Sequence, residues 1–117
     1  MSYAAIPGVV YTNPEVAGVG LTEDEAAARG VDVTVAKLPM AFSGRFVAEN
    51  EGGNGICKII TDANDKVLGV HAIGNPCSEF IAAACVAIEA GMTAEQLHRV
   101  VFPHPTVAEI IKETAAE

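Results

Sequence analysis

Residues 102–109 combine the side chains that general acid–base chemistry requires. His104 stands between Pro103 and Pro105, and the carboxylate of Glu109 follows five residues later. Proline fixes its own φ and keeps the preceding residue out of the α region, so the backbone around His104 has little freedom. An imidazole held near a carboxylate can accept a proton close to neutral pH. From the residues alone, His104 is either a general base or a partly buried turn histidine bonded to the backbone.

Glu109 admits two interpretations. Thr106 and Glu109 fit the capping box S/T-x-x-E, in which the glutamate accepts from the N-cap amide of a helix. The same carboxylate has several acceptor sites and can also orient His104. The dipole of the following helix disfavours the imidazolium form of His104, whereas the carboxylate favours it. Both roles, cap and histidine partner, remain open from the residues alone.

The other histidines and cysteines have ordinary structural explanations. His71 lies in a predicted strand, where a structural or interface role is favoured, and His98 lies on a predicted short helix, where solvent exposure is expected. Packing is the expected role of Cys77 and Cys85 on a helix and of Cys57 in a strand. The cysteines form no CxxC pair and are odd in number, which favours a reducing compartment and predicts a cytoplasmic protein without a metal site.

Length and charge limit the possible classes of function. The 117 residues suit a single domain covering positions 1–117. Fifteen acidic residues against seven basic ones give a net charge of −8, which repels phosphate backbones and argues against a nucleic-acid partner. No apolar run is long enough for a membrane span, and no signal peptide is visible, so no membrane partner is expected. The acidic surface serves solubility or docks a basic partner.

The elements that must position these residues follow from periodicity and turn signals. Strands come first and helices later, with one helix inserted early, which predicts an α+β fold with an antiparallel sheet of about five strands and helices packed on one face. Strands are predicted at 9–11, 16–20 and 31–35, with a hairpin from 56–61 and 67–73. Helices are predicted to begin at the Thr22 and Thr93 capping boxes, after Asn75-Pro76 and near residue 107, and residues 39–55 are predicted to be irregular.

Four segments together carry a family resemblance. They are residues 6–22 (IPGVVYTNPEVAGVGLT), residues 43–45 (SGR), residues 67–74 (VLGVHAIG), and His104-Pro105-Thr106 followed by Glu109. In this order they resemble the C-terminal dimerisation (interface) domain of the pyridine nucleotide-disulfide oxidoreductases, which are flavin-dependent enzymes. The resemblance covers nearly the whole chain. It is greater to the dihydrolipoamide dehydrogenase branch than to the glutathione reductases.

The resemblance implies a homodimer in which this domain completes the active site of the partner subunit. His104 would be the base that deprotonates the dihydrolipoyl dithiol, and Glu109 would orient it and balance its charge. The thiolate would then attack a redox-active disulfide of the partner, with electrons passing through FAD to NAD. The backbone of His104 and Pro105 is expected near the flavin held by the partner's FAD domain. Because an ordinary thiol is only a few per cent thiolate at pH 7, such a base is worth roughly 10²–10⁴-fold.

Several features of the family's whole enzymes are not found in these residues. The chain has no G-x-G-x-x-G following a strand and no CxxxxC pair. We therefore expect the FAD and NAD domains to be absent, and the isolated chain to bind neither cofactor and to be inactive. One alternative is a non-catalytic association module that dimerises and docks the basic subunit-binding domain of the acyltransferase of a 2-oxo acid dehydrogenase complex. Another is the equivalent domain of a glutathione-reductase-like enzyme.

Overall fold

A five-stranded antiparallel sheet organises the chain. The computed structural model describes residues 7–10, 15–40, 55–75, 77–100 and 108–116. The strands, which lie side by side in the order β1-β2-β5-β4-β3, are β1 (Pro7–Val10), β2 (Val16–Gly20), β3 (Thr34–Pro39), β4 (Ile56–Thr61) and β5 (Val67–Ile73). The helices are α1 (Glu23–Ala28), α2 (Cys77–Glu89), α3 (Ala94–Arg99) and α4 (Glu109–Ala115). The predicted α+β class with about five strands is confirmed.

The main core lies between one face of this sheet and two helices. Alternate strand residues point into it because side chains of a strand alternate between the two faces. Helix α2 packs on β2 and β5, and α4 packs on β4 and β3. The core residues are at most 6% exposed. They include Ala17, Val19, Ile59, Val70, Ala72, Phe80, Ile81, Ala84, Ile110 and Ile111.

The short helix α1 departs from the expected one-sided arrangement. Its Glu23 pairs with Lys58, which alternates along β4 with the core residues Cys57 and Ile59 and so belongs to the opposite face. Ala26 of α1 is fully buried without belonging to the main core cluster. The sheet is therefore covered by α2 and α4 on one face and in part by α1 on the other.

Both predicted capping boxes are present. The Thr22 hydroxyl accepts from the N–H of Glu25 at 3.1 Å, and the Glu25 carboxylate accepts from the N–H of Thr22 at 3.3 Å. The Thr93 hydroxyl and the N–H of Gln96 are likewise 3.1 Å apart, and the return bond is 2.9 Å. Helix α1 ends before Gly30, whose φ of 68° is a conformation that glycine adopts without strain. Local sequence signals thus set the ends of these two short helices.

The predicted third strand was placed too early. Strand β3 begins at Thr34 and not at residue 31, because Thr34 pairs with Thr61, the last residue of β4, and the residues before it have no partner strand. The strand also includes Pro39, which was predicted to be irregular. An edge strand such as β3 tolerates proline, since one of its sides makes no ladder hydrogen bonds. Strand β1 similarly begins at Pro7 and not at residue 9. Most of the stretch predicted to be irregular lies outside the described residues.

Candidate functional site

The structure describes only one of the two residues that were predicted to form the general-base pair. His104 and Pro105 lie outside the described residues, whereas Glu109 is the first residue of α4. Ala108 occupies the N-cap position and makes no side-chain cap bond. Ala108 has helical dihedral angles (φ −58°, ψ −24°), and the residues just before it lie outside the described ranges, so both interpretations of Glu109, capping box and histidine partner, stay open. Thr106, the other half of that box, also lies outside the described residues.

Helix α4 is anchored firmly on the sheet. Ile110 and Ile111 are fully buried, and the Thr114 hydroxyl donates to the carbonyl oxygen of Ile110 at 2.6 Å. Burial raises the pKa of the Cys57 thiol on β4 to about 11, although the neighbouring Thr114 hydroxyl opposes the shift. Glu109 therefore starts a helix whose next two residues are locked into the core.

The hairpin between β4 and β5 holds the start of α3. The carbonyl oxygen of Asp65 accepts from the N–H of Ala94 at 2.8 Å, and its carboxylate accepts from the N–H of Glu95 at 3.1 Å. Asp65 has a φ of 66°, and Lys66 forms an isolated antiparallel bridge with Thr93. The turn thus satisfies amides at a helix N-terminus that would otherwise need other partners. The position of α3 is set by a turn about thirty residues earlier.

A histidine joins α3 to α4. The Nδ1 atom of His98 lies 3.2 Å from the carbonyl oxygen of Lys112, and α3 packs against α4. A carbonyl oxygen only accepts, so Nδ1 donates and carries the proton. His98 is exposed, as predicted, but no local sequence pattern indicates its contact with Lys112. These two helices flank residues 101–107, the segment that contains His104.

The other predicted structural residues have structural contacts. The Nε2 atom of His71 donates to the carbonyl oxygen of Leu21 at 2.8 Å, which confirms a structural bond for this histidine. Burial raises the pKa of the Cys77 thiol, with the nearby Glu15 charge acting in the same direction, and burial also raises the pKa of Cys85. All three cysteines are free, and their shifted pKa values disfavour reactive thiolates.

Sequence reasoning missed the role of Glu15, which fastens the start of α2. Its N–H donates to the Asn75 side-chain oxygen at 2.8 Å, and its carboxylate accepts from the Ser78 hydroxyl at 2.7 Å. The carbonyl oxygen of Glu15 also accepts from the N–H of Gly74 at 2.9 Å. A carboxylate beside a helix N-terminus is favoured by the dipole. Glu15 and Ser78 are 63 residues apart, so no local pattern signals the contact.

The described residues do not fit a dinucleotide site. Dinucleotide-binding units are built from parallel strands joined by crossover helices, whereas every strand pairing described here is antiparallel. Within the same residues, no group of three or more His, Cys, Asp or Glu side chains could hold a metal ion. The described residues therefore do not form a dinucleotide-binding unit of that parallel type.

No helix in the described ranges is both long enough and apolar enough to cross a lipid bilayer.

The sequence matches the family described as pyridine nucleotide-disulphide oxidoreductase, dimerisation domain, over residues 6–115. The chain belongs to this family. Among other members of the family, the dihydrolipoyl dehydrogenase of Thermus scotoductus is 45% identical over 94% of this chain. The dihydrolipoyl dehydrogenase of Geobacillus stearothermophilus is 43% identical over 98% of it. The resemblance to the dimerisation domain found from four sequence segments is confirmed.

This dimerisation domain corresponds to one part of those longer proteins. The chain covers 24% of the length of each of the two relatives. The HOCl-induced flavoprotein disulfide reductase RclA from Escherichia coli aligns with a TM-score of 0.87 and 27% identity, over 95% of this chain and 26% of that one. LpdA from Mycobacterium tuberculosis aligns with a TM-score of 0.88 over 99% of this chain and 25% of that one. At 24% identity, the likeness to LpdA supports the fold alone.

Proposed function

We propose that this chain is the dimerisation part of a dihydrolipoamide dehydrogenase and supplies the base of its dithiol reaction. In this proposal the protein is a homodimer, and each dimerisation domain faces the FAD domain of the partner subunit. FAD and NAD belong to the other domains of the full-length enzyme and supply its redox chemistry. His104 accepts a proton from the dihydrolipoyl thiol, and Glu109 orients and charge-balances the imidazole. The backbone at His104 and Pro105 lies near the partner's flavin.

One observation carries the proposal. A chain that matches the dimerisation domain over residues 6–115 also contains His104-Pro105-Thr106 with Glu109 five residues after the histidine. Glu109 lies in the first turn of α4. Its helix is anchored by two fully buried isoleucines, Ile110 and Ile111. A carboxylate on such a support can hold an imidazole in a defined orientation, which general-base catalysis requires.

Two substitutions in the full-length flavoenzyme that carries this domain test the base. His104→Gln is expected to lower the turnover of dihydrolipoamide by roughly 10²–10⁴-fold while FAD stays bound. Glu109→Gln is expected to lower it by about ten- to a hundredfold, the value of a hydrogen bond to a charged group. Both rates are measured by NADH formation, and bound FAD is measured by absorbance.

Glu113→Gln is the matched control for Glu109→Gln. Glu113 lies one turn later on α4 and is exposed. Its substitution is expected to leave turnover unchanged. Full turnover in His104→Gln would contradict the proposal. Equal losses in the two glutamate variants would show that α4 is sensitive to any loss of charge and would remove the specific role of Glu109.

A second candidate function, docking of a basic partner, is favoured by the net charge of −8. The partner would be the basic subunit-binding domain of the acyltransferase in a 2-oxo acid dehydrogenase complex. Affinity between oppositely charged surfaces falls with salt, so raising NaCl from about 50 to about 300 mM should weaken binding by about tenfold or more. Calorimetric titration at the two salt concentrations measures this. Binding that does not respond to salt would contradict the charge argument.

The proposal also specifies the substrate of the full-length enzyme and its cellular compartment. Turnover of dihydrolipoamide but not of oxidised glutathione would separate the proposed enzyme from a glutathione-reductase-like one. We place the protein in the cytoplasm because its three cysteines are free, with Cys57 and Cys77 buried and none bridged. Cell fractionation with an antibody to the domain tests this placement.

A further inference from the structure

The two helices that flank the proposed base segment are joined by one side chain of α3. Helix α3 ends at Arg99 and α4 begins at Glu109. The His98 Nδ1 donates to the Lys112 carbonyl oxygen at 3.2 Å, from the last turn of α3 to the middle of α4. Buried Leu97 on α3 and buried Ile111 on α4 belong to the same core beside this bond. The bond therefore joins the helix that precedes the segment carrying His104 to the helix that follows it.

We propose that His98 is a positioning residue that holds α3 and α4 in the relation the base requires. This inference rests on the proposed function of His104. Both flanks have further anchors, since Asp65 fixes the start of α3 and Thr114 lies against β4. The Asp65 contacts lie at the N-terminus of α3, and Thr114 lies on the side of α4 that faces the sheet. The His98 bond adds a direct link between the helices at the end where the chain enters the segment.

The neighbouring residue Arg99 provides a matched control. The side chains of Arg99 and its ion-pair partner Glu95 are 69% and 68% exposed. The Arg99 Nη2 atom lies 2.5 Å from the Glu95 Oε1 atom. This pair lies four residues apart on α3 and makes no link to α4. Substituting Arg99 removes a long polar side chain and an ion pair from the same helix without loosening the tie between the helices. A specific role of His98 must therefore exceed any effect of Arg99.

The test uses the full-length enzyme and compares His98→Ala, His98→Asn and Arg99→Ala, with His104→Gln as reference. His98→Ala is expected to lower kcat with dihydrolipoamide by about three- to tenfold, the range of one hydrogen bond, with the KM for NAD unchanged. His98→Asn keeps an N–H donor close to the Nδ1 position and should restore kcat to within about twofold. Electron transfer from NADH to an artificial acceptor needs no dithiol base and should be unchanged in all three.

The outcomes separate this inference from the proposed function. Full turnover in His104→Gln would overturn the base and the positioning role together. Loss of turnover in His104→Gln, with His98→Ala equal to the unmodified enzyme, would overturn the positioning role alone. Equal losses in His98→Ala and Arg99→Ala, or no rescue by His98→Asn, would also overturn it. Bound FAD and the melting temperature of each variant show whether a rate change follows from partial unfolding.

Discussion

The two faces of the sheet are built from alternate residues of the same strands, yet they are stabilised differently. On the covered face, apolar side chains such as Ile59 and Val70 pack under α2 and α4. On the open face, Lys58 pairs with Glu23 of α1 at 2.5 Å, and His71 donates to a backbone carbonyl at 2.8 Å. Lys58 and His71 are also directly opposite each other on β4 and β5. The covered face is held by packing under two helices, and the other face combines these polar contacts with the buried side chains of Ile60 and Ala26.

The comparison shows how one strand can serve two purposes. The covered face buries apolar surface, and the stability gained from this burial depends on close packing over many contacts. The open face has a smaller buried apolar part and a few directed polar contacts, and it leaves other apolar side chains accessible, with Val16 and Ile73 both 40% exposed and paired across β2 and β5. We therefore expect substitutions on the covered face to lower the free energy of unfolding most. Substitutions at the polar contacts of the open face should lower it less, by an amount that depends on pH where the contact is an ion pair.

The largest effect is expected at Ile59. Its side chain is 1% exposed, so Ile59→Ala should lower the free energy of unfolding by about 2–5 kcal/mol through lost burial and a residual cavity. Urea unfolding followed by circular dichroism measures this in the 117-residue chain. Val86→Ala on the exposed side of α2, where Val86 is 66% exposed, is the control and should change it by less than about 0.5 kcal/mol. Equal losses at the two sites would contradict the assignment of the core.

An intermediate effect is expected at Gly18 on the open face. A Cβ atom added there would lie 2.4 Å from the Nδ1 atom of His71, so Gly18→Ala must displace the imidazole that bonds to Leu21. We expect a loss of about 1–3 kcal/mol, the usual cost of overpacking. Gly8, the residue paired with Gly18 on β1, has no atom within 4 Å of an added Cβ. Gly8→Ala should therefore be nearly neutral, and an equal loss there would remove His71 as the cause.

The smallest and most pH-dependent effect is expected at Lys58. Its hydrogen bond and its charge hold the pKa of Glu23 below the ordinary value of 4.5. A carboxyl with a lowered folded-state pKa stabilises the fold above its unfolded pKa and loses that contribution as the pH falls through the folded value. The difference in unfolding free energy between the unmodified chain and Lys58→Met should therefore be present at neutral pH and shrink below pH 4.5. A difference that is the same at neutral and acidic pH would rule out the ion pair as its source.

Local patterns predicted those elements whose signals lie within a few residues. The capping boxes at Thr22 and Thr93 and the hairpin of β4 and β5 were predicted at or near their observed positions. The start of β3 was wrong because pairing with β4, and not the alternating valines from residue 31, determines where that strand begins. The capping interpretation of Glu109 stays open, because Thr106 lies outside the described residues.

The sequence by itself determined the fold class, the family resemblance and the residue types of the proposed base. These depend on periodicity, capping and motif order, all of which are properties of neighbouring positions. Only the tertiary structure decided that Glu15 fastens α2, that α1 lies on the open face and that His98 reaches the Lys112 carbonyl. Each of these joins residues at least fourteen positions apart. Contacts of that kind follow from how the elements pack, because folding brings together residues that no local pattern connects.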